Sequence, residues 1–322
     1  LDPGEVIIVD DNGLRASIIE EGLREAGFGP DADGELSESD AVGRAALGEL
    51  RVGDQTYLVR RFSHGGLLRW MSGARFSDPK RPFEELILSH GLDEEGVRTP
   101  RVVAARARRA GLWWELSIVT VFMEGATDIG RWIAEVRGGA RSREGLGALM
   151  SAFGRLVRQL HDVGFHHADL QPNNVLVEEP LAAEGEPRLW IIDLDRSVQA
   201  GVLKYSLRLA NLARLVRFIE RRERERGACL FRSDRMRFLC GYEPERSQRH
   251  DLWRKLALVG RSVIAHRAGW GLERTFGGAD PREGDPPGLQ RAVDRALTGA
   301  DGKSRGWNDW ASYRILQVKG PP

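Results

Sequence analysis

The sequence predicts an α+β fold of two lobes, the first rich in strands and the second helical, on three observations. Short β-branched or alternating runs, punctuated by Gly, Asp and Asn, crowd residues 1–124. From Gly125 onward apolar residues recur at i, i+3 and i+4, the period of a helix with one buried face. Within that second half, one polar loop carrying Asp and Asn separates a long helical stripe from two short apolar runs. At 322 residues and 41% hydrophobic, the chain holds apolar material for one large core or two modest ones.

The elements follow in order. Val6-Ile7-Ile8-Val9 is a strand that stops at the turn sequence Asp10-Asp11-Asn12-Gly13. Ile18, Ile19 and Leu23 fall at helical spacing, so residues 15–26 read as a short helix ended by Gly27. The acidic stretch 31–40 reads as a loop. Residues 47–52 and 56–62 flank Gly53-Asp54 as a β-hairpin. A helix at 83–90 and strands at 101–105 and 113–123 complete the first lobe, with a hinge at 122–126. In the second lobe, Leu146, Leu149, Met150, Phe153, Leu156, Val157 and Leu160 give 143–161 a buried helical stripe. Strands at 174–177 and 189–192 are joined by a polar loop, and helices follow at 207–226 and 249–266. The tail from Gly277 is rich in Gly, Pro and Asp and reads as a loose extension. The expected organisation is therefore 1–124, 125–276 and a tail at 277–322.

Composition excludes several classes. A formal net charge of +1 with 30% charged residues gives no electrostatic reason for nucleic-acid binding. Two cysteines without a CxxC pair make neither a disulfide framework nor a thiolate zinc site. The first ten residues lack the basic region of a signal peptide, and no apolar run nears the ~20 residues of a membrane span. The expectation is a cytoplasmic protein that at most rests on a membrane surface, with no obligate protein partner evident.

Chemistry concentrates in one stretch. After Leu160-His161 and Gly164 come His167-Ala168-Asp169-Leu170-Gln171-Pro172-Asn173-Asn174, a strand, and a second strand ending in Ile192-Asp193-Leu194-Asp195. Taken singly, Asp169 or Asn174 would be read as a turn cap. Together they supply what phosphoryl transfer from ATP requires, in the required order. One carboxylate, Asp169, orients an acceptor hydroxyl; an amide and a second carboxylate, Asn174 and Asp193, hold Mg²⁺ against the nucleotide phosphates. The pattern resembles the HRDLxxxxN and DFG motifs of protein kinases, and the interval from Asp169 to Asn174 is the same. His166 and His167 are adjacent, so their side chains diverge, and no thiol nearby completes a zinc set.

Upstream, Val59-Arg60-Arg61 stands where that template has Val-Ala-Ile-Lys, and Glu85 lies on the following helix. An arginine there can pair with phosphate and with a carboxylate. Gly43-Arg44-Ala45-Ala46-Leu47-Gly48 is a degenerate form of the glycine turn that covers phosphates, with Gly43 its first member. Only residues 196–205 separate Asp195 from the next helix, and no Ala-Pro-Glu follows, so a compact acceptor suits the site better than a peptide. In that helix Arg221, Arg222, Arg224 and Arg226 have Glu220, Glu223 and Glu225 as neighbours. Arg208, Arg214 and Arg217 have few carboxylates near them in sequence, and are read as contacts for a sugar carboxylate, a lipid phosphate or an anionic membrane.

At these residues the chain resembles the 3-deoxy-D-manno-octulosonic acid (Kdo) kinase family of lipopolysaccharide-core kinases. The segments are Leu58-Val59-Arg60-Arg61-Phe62 with Gly65-Gly66-Leu67, Arg81-Pro82-Phe83-Glu84-Glu85-Leu86, Thr99-Pro100, residues 160–177, Ile192-Asp193-Leu194-Asp195-Arg196 and Asn211-Leu212-Ala213-Arg214-Leu215. Gly-Gly-Leu and Asp-x-Asp-Arg set these apart from ordinary protein kinases. The chain departs from the family at His64, where an arginine is usual, in a longer loop at 178–187, and in a tail carrying Trp307 and Trp310. The resemblance implies a bilobal protein-kinase-like fold, ATP and Mg²⁺ as cofactors, and a membrane-anchored Kdo glycolipid as acceptor at the cytoplasmic face of the inner membrane. It implies Asp169 as the catalytic group, Asn174 and Asp193 as metal ligands, and Arg60 with Glu85 on the nucleotide side. A heptose kinase, another small-molecule kinase of this fold, or a pseudokinase scaffold are the alternatives.

Overall fold

The computed structural model describes residues 3–10, 37–38, 47–52, 55–63, 75–179, 186–259, 307–310 and 313–319. They divide into two compact units: residues up to 91, 100–122 and 307–319 form the first, and residues 92–99 with 123–259 form the second.

The first unit begins with strands β1 (Pro3–Asp10), β2 (Ser37–Glu38), β3 (Leu47–Val52), β4 (Gln55–Arg61) and β5 (Arg75–Phe76). Helix α1 (Arg81–Glu94) and strands β6 (Val102–Ala110) and β7 (Trp113–Val121) follow. The strands pair antiparallel in the order β1-β6-β7-β4-β3-β2, and β5 adds to β7 beyond the end of β4. Residues 102–107 of β6 are all buried, as expected of a strand covered on both faces. Helix α1 provides cover: Phe83, Leu86 and Ile87 form one cluster with Phe62, Phe76, Val102, Ala105, Trp114 and Ile118. The turn at 11–13, the helix expected at 15–26, and Gly43 lie outside the described residues; Ser37–Glu38 is a short strand where a loop was expected.

The second unit runs through β8 (Ala126–Asp128), α2 (Ile129–Arg137), α3 (Leu146–Asp162), β9 (Phe165–His166), β10 (Val175–Glu178), β11 (Leu189–Ile191), β12 (Val198–Gln199), α4 (Tyr205–Arg226), α5 (Arg232–Tyr242) and α6 (Arg246–Val259). Asp128 caps α2 by accepting a hydrogen bond from Arg131 N at 2.8 Å, an interaction worth about 1 kcal/mol. Helix α3 buries the stripe read from its sequence. It lies against α5 so closely that a Cβ on Gly154 would sit 2.0 Å from Phe238 O. Two small antiparallel sheets, β8-β10-β11 and β9-β12, carry the loop described below. Neither α2 nor α5 was expected; α5 mixes Arg232, Asp234, Arg235 and Arg237 among its apolar residues, which hides its period.

The tail corrects an expectation. Strands β13 (Trp307–Trp310) and β14 (Tyr313–Lys319) are not a loose extension but join the sheet of the first unit, β14 pairing with β1 over Ile7↔Leu316 and Ile8↔Ile315. Ile315, Leu316 and Val318 give this stretch the β-propensity that its Gly- and Pro-rich approach conceals.

Candidate active site

In the first unit, β4 places Arg60 opposite Ile118 of β7, and α1 brings Glu85 beneath it. The Arg60 guanidinium donates through Nη2 to Glu85 Oε2 and lies 4.8 Å from the centre of the Phe62 ring. Glu85 is 5% exposed, so the guanidinium meets a carboxylate that is largely removed from water.

In the second unit, the loop after α3 is built on Gly164. Its φ is +77°, and a Cβ there would fall 1.6 Å from Ala200 O, so this position admits glycine alone. The loop then folds around His167, which is 1% exposed. Asp169 N donates to His167 Nδ1 at 3.1 Å, which leaves Nε2 as the protonated nitrogen, and it donates to Ile192 O at 3.0 Å. Burial pushes this imidazole down, so it remains neutral. His167 therefore ties the backbone of Asp169 to the residue preceding Asp193. Ala168 N is held by Ser197 Oγ at 3.1 Å.

The expected residues 169, 174 and 193 are brought together by the same set of bonds. Asn174 Nδ2 donates to Asp169 O at 2.8 Å, and Ile192 N donates to Asn174 O at 3.0 Å. With its amide nitrogen used in this way, the side-chain oxygen is the atom of Asn174 that could meet a cation. Asp193 is exposed and has φ of +61°, a conformation costly for a residue with a Cβ and concentrated at functional sites. An amide oxygen and a carboxylate are the donors a hard cation takes, and Mg²⁺ keeps waters and phosphate oxygens for its other positions. Among the described residues no cluster of three His, Cys, Asp or Glu side chains offers a different metal site.

Asp169 itself is gripped at both oxygens. Gln171 Nε2 donates to Oδ2 at 2.9 Å and Arg214 Nη1 to Oδ1 at 2.5 Å. Asn211, one turn before Arg214 on α4 and 2% exposed, bonds the loop backbone in both directions: His167 N donates to its Oδ1 at 3.2 Å and its Nδ2 donates to His167 O at 2.9 Å. Asn211 also meets His166 Nε2 at 3.0 Å and His161 Nε2 at 3.3 Å, and His161 Nδ1 reaches the Tyr242 hydroxyl at 2.8 Å. Burial pulls His161 down to about 3 and His166 to about 4, so both are neutral.

These bonds correct the sequence reading for two of the three arginines singled out on the basic helix. Arg208 donates to Asp162 Oδ1 at 2.8 Å and Arg214 to Asp169, so neither belongs to a solvent-facing patch for lipid. Their side chains are 22% and 24% exposed. Asn211, Gln171 and Ser197 were given no role from sequence; Asn211 and Gln171 entered only as members of segments that carry the family resemblance.

Residues 55–242, more than half of the chain, match the model of the Lipopolysaccharide kinase (Kdo/WaaP) family. The chain belongs to that family. Among relatives of this kinase, the 3-deoxy-D-manno-octulosonic acid kinase of Vibrio cholerae is 28% identical over 195 residues, covering 58% of this chain and 75% of that protein. The enzyme of the same name from Stenotrophomonas maltophilia is 29% identical over 214 residues, covering 64% and 80%. A solved structure, WaaP in complex with acyl carrier protein, aligns with a TM-score of 0.52 at 20% identity, covering 82% of this chain and 98% of that one, and shows the shared protein-kinase-like fold. The Kdo/WaaP member described here is a kinase of lipopolysaccharide core biosynthesis, a phosphotransferase with an alcohol group as acceptor. None of the helices described in this kinase is long and apolar enough to cross a membrane.

Proposed function

We propose that this kinase transfers the γ-phosphate of ATP to a hydroxyl of a Kdo sugar on a lipid A precursor, with Asp169 as the group that receives the hydroxyl proton. The observation that carries the reading is the fixed carboxylate of Asp169, held at both oxygens beside Asn174 and the residue preceding Asp193. Asn174 and Asp193 would hold Mg²⁺, which when bound neutralises charge on the transferred phosphoryl group. Arg60 takes the phosphate side in place of the usual lysine, and Glu85 keeps its guanidinium in position. The relatives named as Kdo kinases support Kdo as the acceptor. Such an acceptor is anchored in a membrane, so the kinase meets it at the cytoplasmic face, where ATP is found.

The direct test is transfer of labelled phosphate from ATP to a panel of Kdo-bearing lipid A precursor, free Kdo, heptose-extended core and an unrelated protein. Label is expected in the Kdo-bearing precursor and absent from the protein. Label in the heptose-extended core alone would reassign the acceptor.

The phosphate role of Arg60 makes a separate expectation. Arg60→Ala should weaken ATP binding by about tenfold or more and also destabilise the first unit, because it removes an ion pair to the buried Glu85. Arg60→Lys should recover part of the loss, since one ammonium restores the charge but not the fork of donors. Nucleotide titration of both variants decides it; an Arg60→Ala protein with unaltered ATP affinity would move the phosphate contact elsewhere.

A further inference from the structure

The family reading accounts for Asp169, Asn174 and Asp193 but gives no task to Arg214, which sequence alone read as a contact for a sugar carboxylate, a lipid phosphate or an anionic membrane. We infer that Arg214 is a positioning residue for phosphoryl transfer, holding the Asp169 carboxylate in the single orientation from which it meets the acceptor hydroxyl. The inference rests on Asp169 being the proton acceptor, as proposed above.

Three observations carry it. Arg214 Nη1 lies 2.5 Å from Asp169 Oδ1, a close charge-assisted hydrogen bond. The other oxygen is fixed independently by Gln171 Nε2 at 2.9 Å, so the two donors together remove the free rotation that a terminal carboxylate otherwise has. Each oxygen can accept a further bond, so the clamp does not consume the capacity needed for a hydroxyl. Third, α4 is anchored to the same loop one turn earlier, where Asn211 bonds both backbone groups of His167. The helix thus holds the loop at two heights, the backbone through Asn211 and the reacting side chain through Arg214. An exposed arginine placed on an adaptable surface would have no such second anchor. The side chain of Asp169 is 43% exposed, so water can reach it, and a surface ion pair of this kind contributes little to stability. Its value lies in geometry: a reacting group displaced by about 1 Å can cost about a hundredfold in rate.

The test uses the full chain with ATP and Kdo-bearing lipid A precursor. Arg214→Ala is expected to lower kcat about a hundredfold while the KM for ATP stays within about twofold, and Arg214→Lys to recover about tenfold of that loss. The decisive measurement is the double variant. In an Asp169→Asn background, Arg214→Ala should cause no further fall in residual turnover, because its effect passes through Asp169. Equal losses in both backgrounds, or full activity in Arg214→Ala, would overturn the positioning role. An Asp169→Ala protein with near-normal turnover would instead overturn the reading on which it rests, so the two failures are told apart.

Discussion

Asp169→Ala should lose about three orders of magnitude in turnover while ATP still binds. General-base groups contribute about 10²- to 10⁴-fold, and this one is positioned at both oxygens before any acceptor arrives. The substitution removes one partner each from Gln171 and Arg214, but Arg214 is 24% exposed and water can reach it, so the protein should remain folded. Asp169→Asn preserves the shape of the side chain and should fall by a similar amount. Steady-state kinetics on the Kdo-bearing precursor, with nucleotide affinity measured in parallel, check both variants. Near-normal turnover in a folded Asp169→Ala protein would remove the residue from the reaction.

Asn211→Leu, close to Asn211 in size, should have the largest effect on stability. The native amide serves His167 N, His167 O, His166 Nε2 and His161 Nε2 from a position 2% exposed to solvent. An apolar replacement leaves these groups buried without partners at about 1–3 kcal/mol each, less than additively, so a total of about 3 kcal/mol or more is expected. In a unit of this size that corresponds to a fall in Tm of about 10 °C, read by thermal unfolding. Because the backbone of His167 is the first support of Asp169, turnover should fall at temperatures where the fold persists. An unchanged Tm would mean that water replaces the amide and that the loop is held by other bonds.

How much of this was legible beforehand depended on sequence distance. The loop from Gly164 to Asn174 could be read because its working parts lie within a few residues of each other and demand particular residue types at fixed intervals. Arg60 and Glu85 are 25 residues apart, yet a strand followed by a helix is a local motif, and their pairing was anticipated. The arginines of α4 were misread because Asp162 and Asp169 lie 46 and 45 residues upstream, beyond the i±4 window in which charge partners are sought. Arg208 and Arg214 looked unpartnered only while the chain was viewed as a line. The task of Asn211 was missed for a related reason: it was noted only within the segment Asn211–Leu215, and its partners are invisible until the loop it bonds is folded against it. Helix α5 was missed because its buried face includes Asp234, which accepts from Arg143 Nη2 at 2.5 Å and from Phe231 N at 2.8 Å, so the polar residue that broke the pattern is part of the core.

The pairing of β14 with β1 has a bearing on biogenesis. Ile7 and Leu316 stand opposite each other in one sheet, so the earlier strand waits for one made much later. Until then β1 has β6 on one side and an open row of backbone donors and acceptors on the other, the kind of edge that recruits a foreign strand. Residues 92–99 and 123–259 are all synthesised before residues 313–319, so the unit bearing Asp169 can complete its folding first. The sheet bearing Arg60 closes last, and its long-range register makes it the slower of the two to form.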